Sequence, residues 1–309
     1  MNKLTVSSSP HLRSGDSTGG IMLDVIFALM PAAIAGIAIF GPRAAIVLAT
    51  SVLSAVLSEF VWNLIFKKPN SLCDGSAIVT GLLLGMNLSP MLPVWMTALG
   101  SAIAIIIVKQ MFGGLGQNFA NPAITARIVL TVSFPVAMTT WAEPFGWYTK
   151  SLDAISTATP LTAGYENFSY RELLLGLKGG CIGEVCSVLL LAGGLYLVFR
   201  KVITPTIPLT YMGTLALLSL CFGADPLKAI LSGGLVLAAV FMATDYVTSP
   251  YTFKGKIIYG IGCGLITFAI RQFGNLPEGA SFAILLMNLL VPHINKLTRR
   301  KPFGTEGAK

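Results

Sequence analysis

One short polar stretch, residues 151–162 (SLDAISTATPLT), holds the side chains best suited to chemistry. Asp153, Ser156, Ala158 and Thr159 follow the spacing Asp-x-x-Ser-x-Ala-Thr. Threonine supplies an oxygen nucleophile, a nearby carboxylate can assist removal of its proton, and a small alanine lets another protein approach. We therefore interpret Thr159 as an accessible modification site and not as a catalytic nucleophile. The alternative is an ordinary Ser/Thr-rich loop.

The chain around this stretch has the composition of a polytopic membrane protein. Of its 309 residues, 54% are hydrophobic and 11% are charged, whereas roughly a quarter of the residues in a soluble domain are charged. At about 20 apolar residues per crossing, apolar runs account for most of the length. We predict an all-α fold of ten crossings, at residues 21–40, 43–66, 77–88, 91–112, 122–139, 181–199, 203–223, 226–243, 256–273 and 279–293.

The third and fourth apolar runs are separated by helix-breaking residues. The third run ends in the sequence NLSP (87–90), and the fourth begins with MLP (91–93). Irregular backbone at membrane depth is tolerated only where it lines a cavity or is buried in protein. We therefore predict an interrupted helix at this point.

The two halves of the chain match at an offset of about 160 residues. Asp24 falls on Glu184, and LSP (88–90) falls on TSP (248–250). With five crossings each, an odd number, the halves run in opposite directions, which predicts two inverted repeats with interrupted helices. The predicted parts are a tail at 1–20, a first repeat at 21–139, a connector at 140–180, a second repeat at 181–293 and a basic tail at 294–309.

Positive charges predict the orientation in the cell (inner) membrane. Because Lys and Arg are retained on the cytoplasmic side, their excess in one set of loops places both termini in the cytoplasm and Thr159 outside it. The net charge of +8 lies in short loops and tails, so it does not indicate nucleic-acid binding. Five cysteines without a CxxC pair and two histidines predict no metal site.

Four stretches spread along the chain carry a family resemblance. They are FGGLGQNFANPA (112–123), DAISTATPL (153–161), TDYVTSP (244–250) and PEGASFAILLMN (277–288). Together they resemble the D subunit family of the Rnf complex, which is related to the B subunit of the sodium-translocating NADH:quinone oxidoreductase. The resemblance implies a membrane-embedded electron-transfer subunit of an ion-translocating (Na⁺ or H⁺) ferredoxin:NAD⁺ oxidoreductase complex, with no complete active site of its own.

The resemblance also implies two flavins. Thr159 corresponds to the threonine that carries FMN through a phosphoester, although Thr157 stands where the family pattern has glycine. The resemblance also implies a second, non-covalent flavin, riboflavin, in the membrane domain. Flavin ring edges need hydrogen-bond partners, and polar residues that interrupt the apolar runs can supply them. Its candidate lining residues are Asn118, Asn121, Asp245 and Ser249.

Other interpretations of these polar residues stay open. Asn121 before Pro122 is also a natural helix start, and Ser249 before Pro250 can close a helix. The partners implied by the resemblance are the other Rnf subunits, including a second flavinylated subunit and iron-sulfur subunits, a separate flavin transferase and the lipid bilayer.

Two acids at matching places in the halves, Asp24 and Glu184, are candidates for an ion path, since an acid in an apolar run needs water or a protein partner. The alternative is that each lies near a helix start, where it suits the helix dipole. Arg127 also lies in an apolar run and needs a partner that the sequence does not identify. Inverted repeats suit a stand-alone channel or secondary transporter equally well, and this is the alternative function.

Overall fold

The computed structural model of the chain describes residues 17–68, 72–149, 159, 161, 168–184, 186–274 and 279–299. Every regular element of these residues is helical. The helices are α1 (Thr18–Phe40), α2 (Pro42–Ile65), α3 (Ser76–Met86), α4 (Val94–Gln110, π-helical from Ile103), α5 (Pro122–Ser133), α6 (Tyr170–Leu175), α7 (Ser187–Phe199), α8 (Thr206–Cys221), α9 (Pro226–Leu231), α10 (Leu235–Leu237, continuing as the π-helical turn Ala238–Met242), α11 (Phe253–Phe273) and α12 (Gly279–Thr298). Single helical turns lie at Leu72–Asp74, Pro135–Met138, Gly146–Thr149 and Ile182–Glu184.

Four of these helices, α1, α2, α11 and α12, are long and apolar enough to cross a membrane. Five shorter helices, α3, α4, α5, α7 and α8, are also apolar. Each predicted apolar run contains at least one helix, so the all-helical, polytopic class is confirmed. The arrangement as two inverted repeats of five crossings stays a prediction.

Two predicted crossings are broken by special backbone conformations. The run 181–199 contains the turn Ile182–Glu184, and helix α7 begins only at Ser187, because Cys186 adopts a positive φ of 60°. The run 226–243 is divided between α9 and α10 at Gly233, whose φ is +64°. A positive φ cannot continue a right-handed helix.

The predicted interruption between α3 and α4 is confirmed. Helix α3 ends at Met86, helix α4 begins at Val94, and Asn87, Leu88 and Ser89 are at most 1% exposed. The buried backbone here finds protein partners: the Leu88 carbonyl accepts a hydrogen bond from the Ile182 N–H at 3.1 Å. The interruption is therefore buried in protein, as the low dielectric of a membrane requires.

Helices α1 and α7 bring the N-terminal and C-terminal parts of the chain together. They meet so closely that a Cβ atom at Gly193 would lie 2.3 Å from the Ala28 carbonyl oxygen. Small residues at helix crossings are the usual means of close packing in membranes. Elsewhere α2 packs along α3 and α4, α8 packs along α11, and α5 contacts α12.

Candidate cofactor cavity and buried charge clusters

A cavity of about 260 Å³ lies between α1, α3, the loop 111–121 and the residues that follow α10. Its wall is mostly apolar, which is the usual character of a small-molecule site, and its volume is close to the lower limit of about 300 Å³ for such sites. The polar side chains of the wall belong to Thr18, Ser76, Thr80, Lys109, Asn118, Asn121, Thr244, Asp245 and Tyr246.

Three of the four residues predicted to line a second flavin site are brought together here. Asn118, Asn121 and Asp245 all line the cavity, whereas Ser249 does not. Ser249 lies in the turn beyond it, where its backbone N–H donates to the Asp245 carbonyl oxygen at 3.1 Å. The Asp245 carboxylate accepts a hydrogen bond from the Thr248 hydroxyl at 3.1 Å.

The two asparagines of the cavity wall differ in the hydrogen bonds that their side chains form. Asn121 caps helix α5, because its Oδ1 accepts from the N–H groups of Ala123 and Ile124 at 3.1 and 3.2 Å, and its Nδ2 donates to the Met242 carbonyl at 3.2 Å. The helix-start interpretation is therefore confirmed. The Oδ1 of Asn118 is buried and has no hydrogen-bond partner among the described residues. A buried acceptor without a hydrogen bond destabilises the folded protein by about 1–3 kcal/mol. A ligand in the cavity can relieve this cost by donating a hydrogen bond to Asn118 Oδ1.

A buried ion pair stands directly at the cavity wall. Lys109 Nζ lies 2.8 Å from Glu59 Oε2 and donates to Ser76 Oγ at 2.7 Å, and Gln110 Nε2 donates to Glu59 Oε1 at 3.0 Å. The Lys109 and Glu59 side chains are only 2% and 1% exposed. Of these residues, Lys109 and Ser76 line the cavity and Glu59 does not.

Arg127 joins four separate segments of the chain. Its Nη1 donates to Asn87 Oδ1 at 2.9 Å and to Ser281 Oγ at 3.2 Å. Its Nη2 donates to Cys181 Sγ at 3.2 Å and lies 3.8 Å from Glu184 Oε1. The carboxylate partner that the sequence did not identify is therefore Glu184, one of the two acids predicted for an ion path.

Glu184 lies in a tightly enclosed and positively charged place. Its Oε1 has no hydrogen-bond partner among the described residues, and Cβ atoms at Gly180 and Gly234 would lie only 2.7 and 3.0 Å from its carboxylate oxygens. Lys178, in the segment between α6 and the turn Ile182–Glu184, is 2% exposed and donates to the Leu231 carbonyl at 2.6 Å. Burial lowers the pKa of Lys178 from 10.5 to about 8, while Glu184 opposes this change and Arg271 adds to it.

Thr159 is buried, with an exposed fraction of 3%, whereas the sequence suggested an accessible loop. The neighbouring Leu161 side chain lies against Gly233, where a Cβ atom would approach Leu161 Cδ1 to 2.7 Å and Arg271 Nη2 to 3.3 Å. Thr159 is thus two residues from a position that packs beside the break between α9 and α10. The motif residues Asp153, Ser156 and Ala158 lie outside the described residues.

Asp24 has surroundings unlike those of Glu184, although the two positions match in the sequence. Its Oδ1 accepts from the Tyr196 hydroxyl at 2.8 Å, and its Oδ2 accepts from Arg200 Nε and Nη2 at 3.2 and 3.1 Å. The Arg200 side chain is 59% exposed and the Asp24 side chain 14%. This pair links α1 to α7 near the protein surface.

Sequence reasoning missed the Glu59 and Lys109 pair. The sequence did contain a signal: Glu59 interrupts the apolar run 43–66, and Lys109 interrupts the apolar run 91–112. Charged residues inside apolar runs need a partner in the protein. The sequence could not show that the two side chains meet, since they are 50 positions apart. Among the described residues, no three His, Cys, Asp or Glu side chains group in a way that could hold a metal ion.

Comparison with known proteins places the chain in a family. A family model described as the NQR2, RnfD, RnfE family matches residues 5–304. The D subunit of the Na(+)-translocating ferredoxin:NAD(+) oxidoreductase complex of Acetobacterium woodii is 48% identical, over 99% of this chain and 97% of that relative. The D subunit of the proton-translocating ferredoxin:NAD(+) oxidoreductase complex of Clostridium ljungdahlii is 44% identical, over 98% and 97%. The D subunit of the ion-translocating oxidoreductase complex of Stutzerimonas stutzeri is 39% identical, over 93% and 92%.

Proposed function

The chain belongs to the NQR2, RnfD, RnfE family, and we propose that it is a membrane-embedded, flavin-carrying electron-transfer subunit of an ion-translocating ferredoxin:NAD⁺ oxidoreductase complex. The observation that carries this proposal is the 48% identity with a named D subunit over almost the full length of both chains. The names of two relatives differ in the translocated ion, one naming Na(+) and the other the proton. The proposal therefore leaves the ion as Na⁺ or H⁺.

Thr159 is, in this proposal, the attachment point of a covalent FMN. This attachment point is supported by the Asp-x-x-Ser-x-Ala-Thr spacing that ends at Thr159 and by the position of Thr159 in the predicted connector between the two halves. A flavin transferase cannot reach a threonine that is only 3% exposed. We therefore propose that attachment precedes the packing of Leu161 against Gly233.

The covalent flavin is tested by in-gel fluorescence. The full-length chain is expressed with a flavin transferase, and the denatured protein is examined for a fluorescent band. We expect a band for the wild type and for Thr162→Val, a nearby threonine outside the motif, and no band for Thr159→Val. A dark wild type, or a fluorescent Thr159→Val chain, contradicts the attachment and favours a stand-alone channel or transporter.

The cavity suits a second, non-covalent flavin such as riboflavin. A flavin ring has an apolar side and an imide edge with one N–H donor between two carbonyl acceptors. The Asn118 Oδ1, which lacks a donor, can accept from the imide N–H, and the Lys109 ammonium can donate to a carbonyl. The apolar wall accommodates the rest of the ring. When bound, a flavin supplies electron acceptance and release, while these residues orient it and exclude water.

The inverted-repeat arrangement and the ion path stay part of the proposal. The break after α3 and the break after α10 occupy matching places in the two halves, and inverted repeats of transport proteins bind ions where such broken helices meet. Of the two predicted acids, Glu184 lies beside the first break through Arg127 and Asn87. The partners in this proposal are the other subunits of the complex, including flavinylated and iron-sulfur subunits.

A further inference from the structure

Lys109 is a buried cation that lines the cavity. An ammonium group has three N–H donors, and the described residues use two of them, through Glu59 and Ser76. Lys109 lines the cavity, and its side chain is 2% exposed. A buried ion pair contributes little net stability compared with apolar residues of the same volume. Its position at the wall therefore needs a reason other than stability.

The counter-ion of Lys109 lies behind it as seen from the cavity. Glu59 does not line the cavity, and its two oxygens are occupied by Lys109 and Gln110. Of the two partners, only the residue that carries the positive charge lines the cavity. The opposite charge on the wall, Asp245, comes from the segment after α10 and accepts a hydrogen bond from Thr248.

We propose that Lys109, held in place by Glu59 and Ser76, is the positioning residue that donates to the carbonyl edge of a flavin in this cavity and favours its reduced form. This inference rests on the proposed second flavin. Two electrons and one proton convert the oxidised ring into a reduced ring with a net negative charge on its pyrimidine edge. A cation near that edge stabilises the reduced ring more than the neutral oxidised ring.

Two of the helices beside Lys109, α2 and α3, are also joined by contacts that do not involve it. Helices α2 and α3 already touch along glycines, since a Cβ atom at Gly81 would lie 2.7 Å from Val52 Cα and one at Gly85 would lie 3.1 Å from Ser51 Cβ. The Ser51 hydroxyl donates to the Gly81 carbonyl at 2.7 Å. These contacts do not involve Lys109, so a neutral pair of similar size at positions 59 and 109 leaves them unchanged.

The test measures the flavin potential in the full-length chain. A Thr159→Val background removes the proposed covalent flavin, and riboflavin is supplied to the purified protein in detergent. Dithionite then reduces the bound flavin in the presence of indicator dyes. The test variants are Glu59→Gln with Lys109→Gln, which removes both charges together, and Lys109→Arg, which keeps the positive charge. Lys254→Gln, an exposed lysine outside the cavity wall, is the matched control.

We expect the double variant Glu59→Gln, Lys109→Gln, called the neutral pair, to lower the preference for reduced over oxidised flavin by at least tenfold. For a two-electron couple this lowers the reduction potential by about 30 mV. Lys109→Arg and Lys254→Gln should stay close to the starting potential. If the neutral pair does not retain flavin, separate titrations with oxidised and reduced riboflavin measure the same preference.

The failure of this inference differs from the failure of the second flavin. If the neutral pair binds flavin with an unchanged reduction potential, the proposed role of Lys109 is wrong, but the proposed second flavin is unaffected. A Thr159→Val chain that binds no riboflavin in either redox state overturns the second flavin itself, and the role of Lys109 with it.

Discussion

Replacing Arg127 by methionine should be among the most destabilising single changes in the chain. The guanidinium contacts Asn87, Cys181, Glu184 and Ser281, and its side chain and that of Glu184 are only 6% and 2% exposed. Breaking a buried pair by removing one partner costs about 3–5 kcal/mol, because the remaining charge is buried without compensation. The folding equilibrium should therefore shift by at least about a hundredfold.

A double-mutant cycle measures this coupling. Unfolding is followed in mixed detergent micelles for Arg127→Met, Glu184→Gln and the double variant. Glu184→Gln should recover a large part of the loss in the Arg127→Met background, because it removes the uncompensated charge. Asp24→Asn is the control, since its partner Arg200 is 59% exposed and such pairs contribute about 1 kcal/mol or less. An Arg127→Met cost below about 1 kcal/mol, or no recovery in the double variant, refutes the reasoning.

Two further predictions concern the same cluster. Burial lowers the pKa of Lys178 from 10.5 to about 8, so between these values the unfolded chain binds more protons and stability rises with pH, by about 1.4 kcal/mol from pH 7 to pH 9. Thermal unfolding at pH 7, 8 and 9 should show this rise in the wild type and lose it in Lys178→Met; equal slopes contradict the assignment. If Glu184 serves an ion path, Glu184→Gln should reduce ion transport by the assembled complex more than electron transfer, whereas equal losses indicate a structural role.

Local sequence patterns predicted the parts of this structure that depend on neighbouring residues. Asn121 before Pro122 caps helix α5, and the sequence NLSP (87–90) ends helix α3, because caps and helix breaks depend on residues within one turn. The burial of Thr159 was not predicted, since burial of a loop residue depends on tertiary contacts, such as the nearby contact of Leu161 with Gly233, that form only in the folded chain.

Long-range charge pairing was beyond prediction for a different reason. Glu59 pairs with Lys109, and Arg127 pairs with Glu184, although the partners are 50 or more positions apart. The membrane requires only that each buried charge has a partner and does not specify which one. The matched positions of Asp24 and Glu184 suggested equal roles, yet one forms a surface pair and the other lies in the interior. Internal similarity therefore located these acids without determining their surroundings.

The contacts of the cations in the neighbourhood of Glu184 can be assigned one by one. Helix α9 ends in a buried place where water cannot satisfy its last carbonyls. Lys178 donates to the Leu231 carbonyl at 2.6 Å, and Arg271 donates to the carbonyls of Ala229 and Ser232 at 2.8 and 3.0 Å. Both cations thus cap the C-terminal end of α9, as the helix dipole favours.

Arg127 is similarly engaged by Asn87, Ser281 and Cys181. Of the two acids, Glu184 keeps a carboxylate oxygen without a hydrogen-bond donor among the described residues, whereas both oxygens of Asp24 accept hydrogen bonds from Tyr196 and Arg200. Each acid nevertheless has a cationic partner, Arg127 for Glu184 and Arg200 for Asp24. The ion-path role of both acids therefore stays a prediction, while the Asp24 pair links α1 to α7.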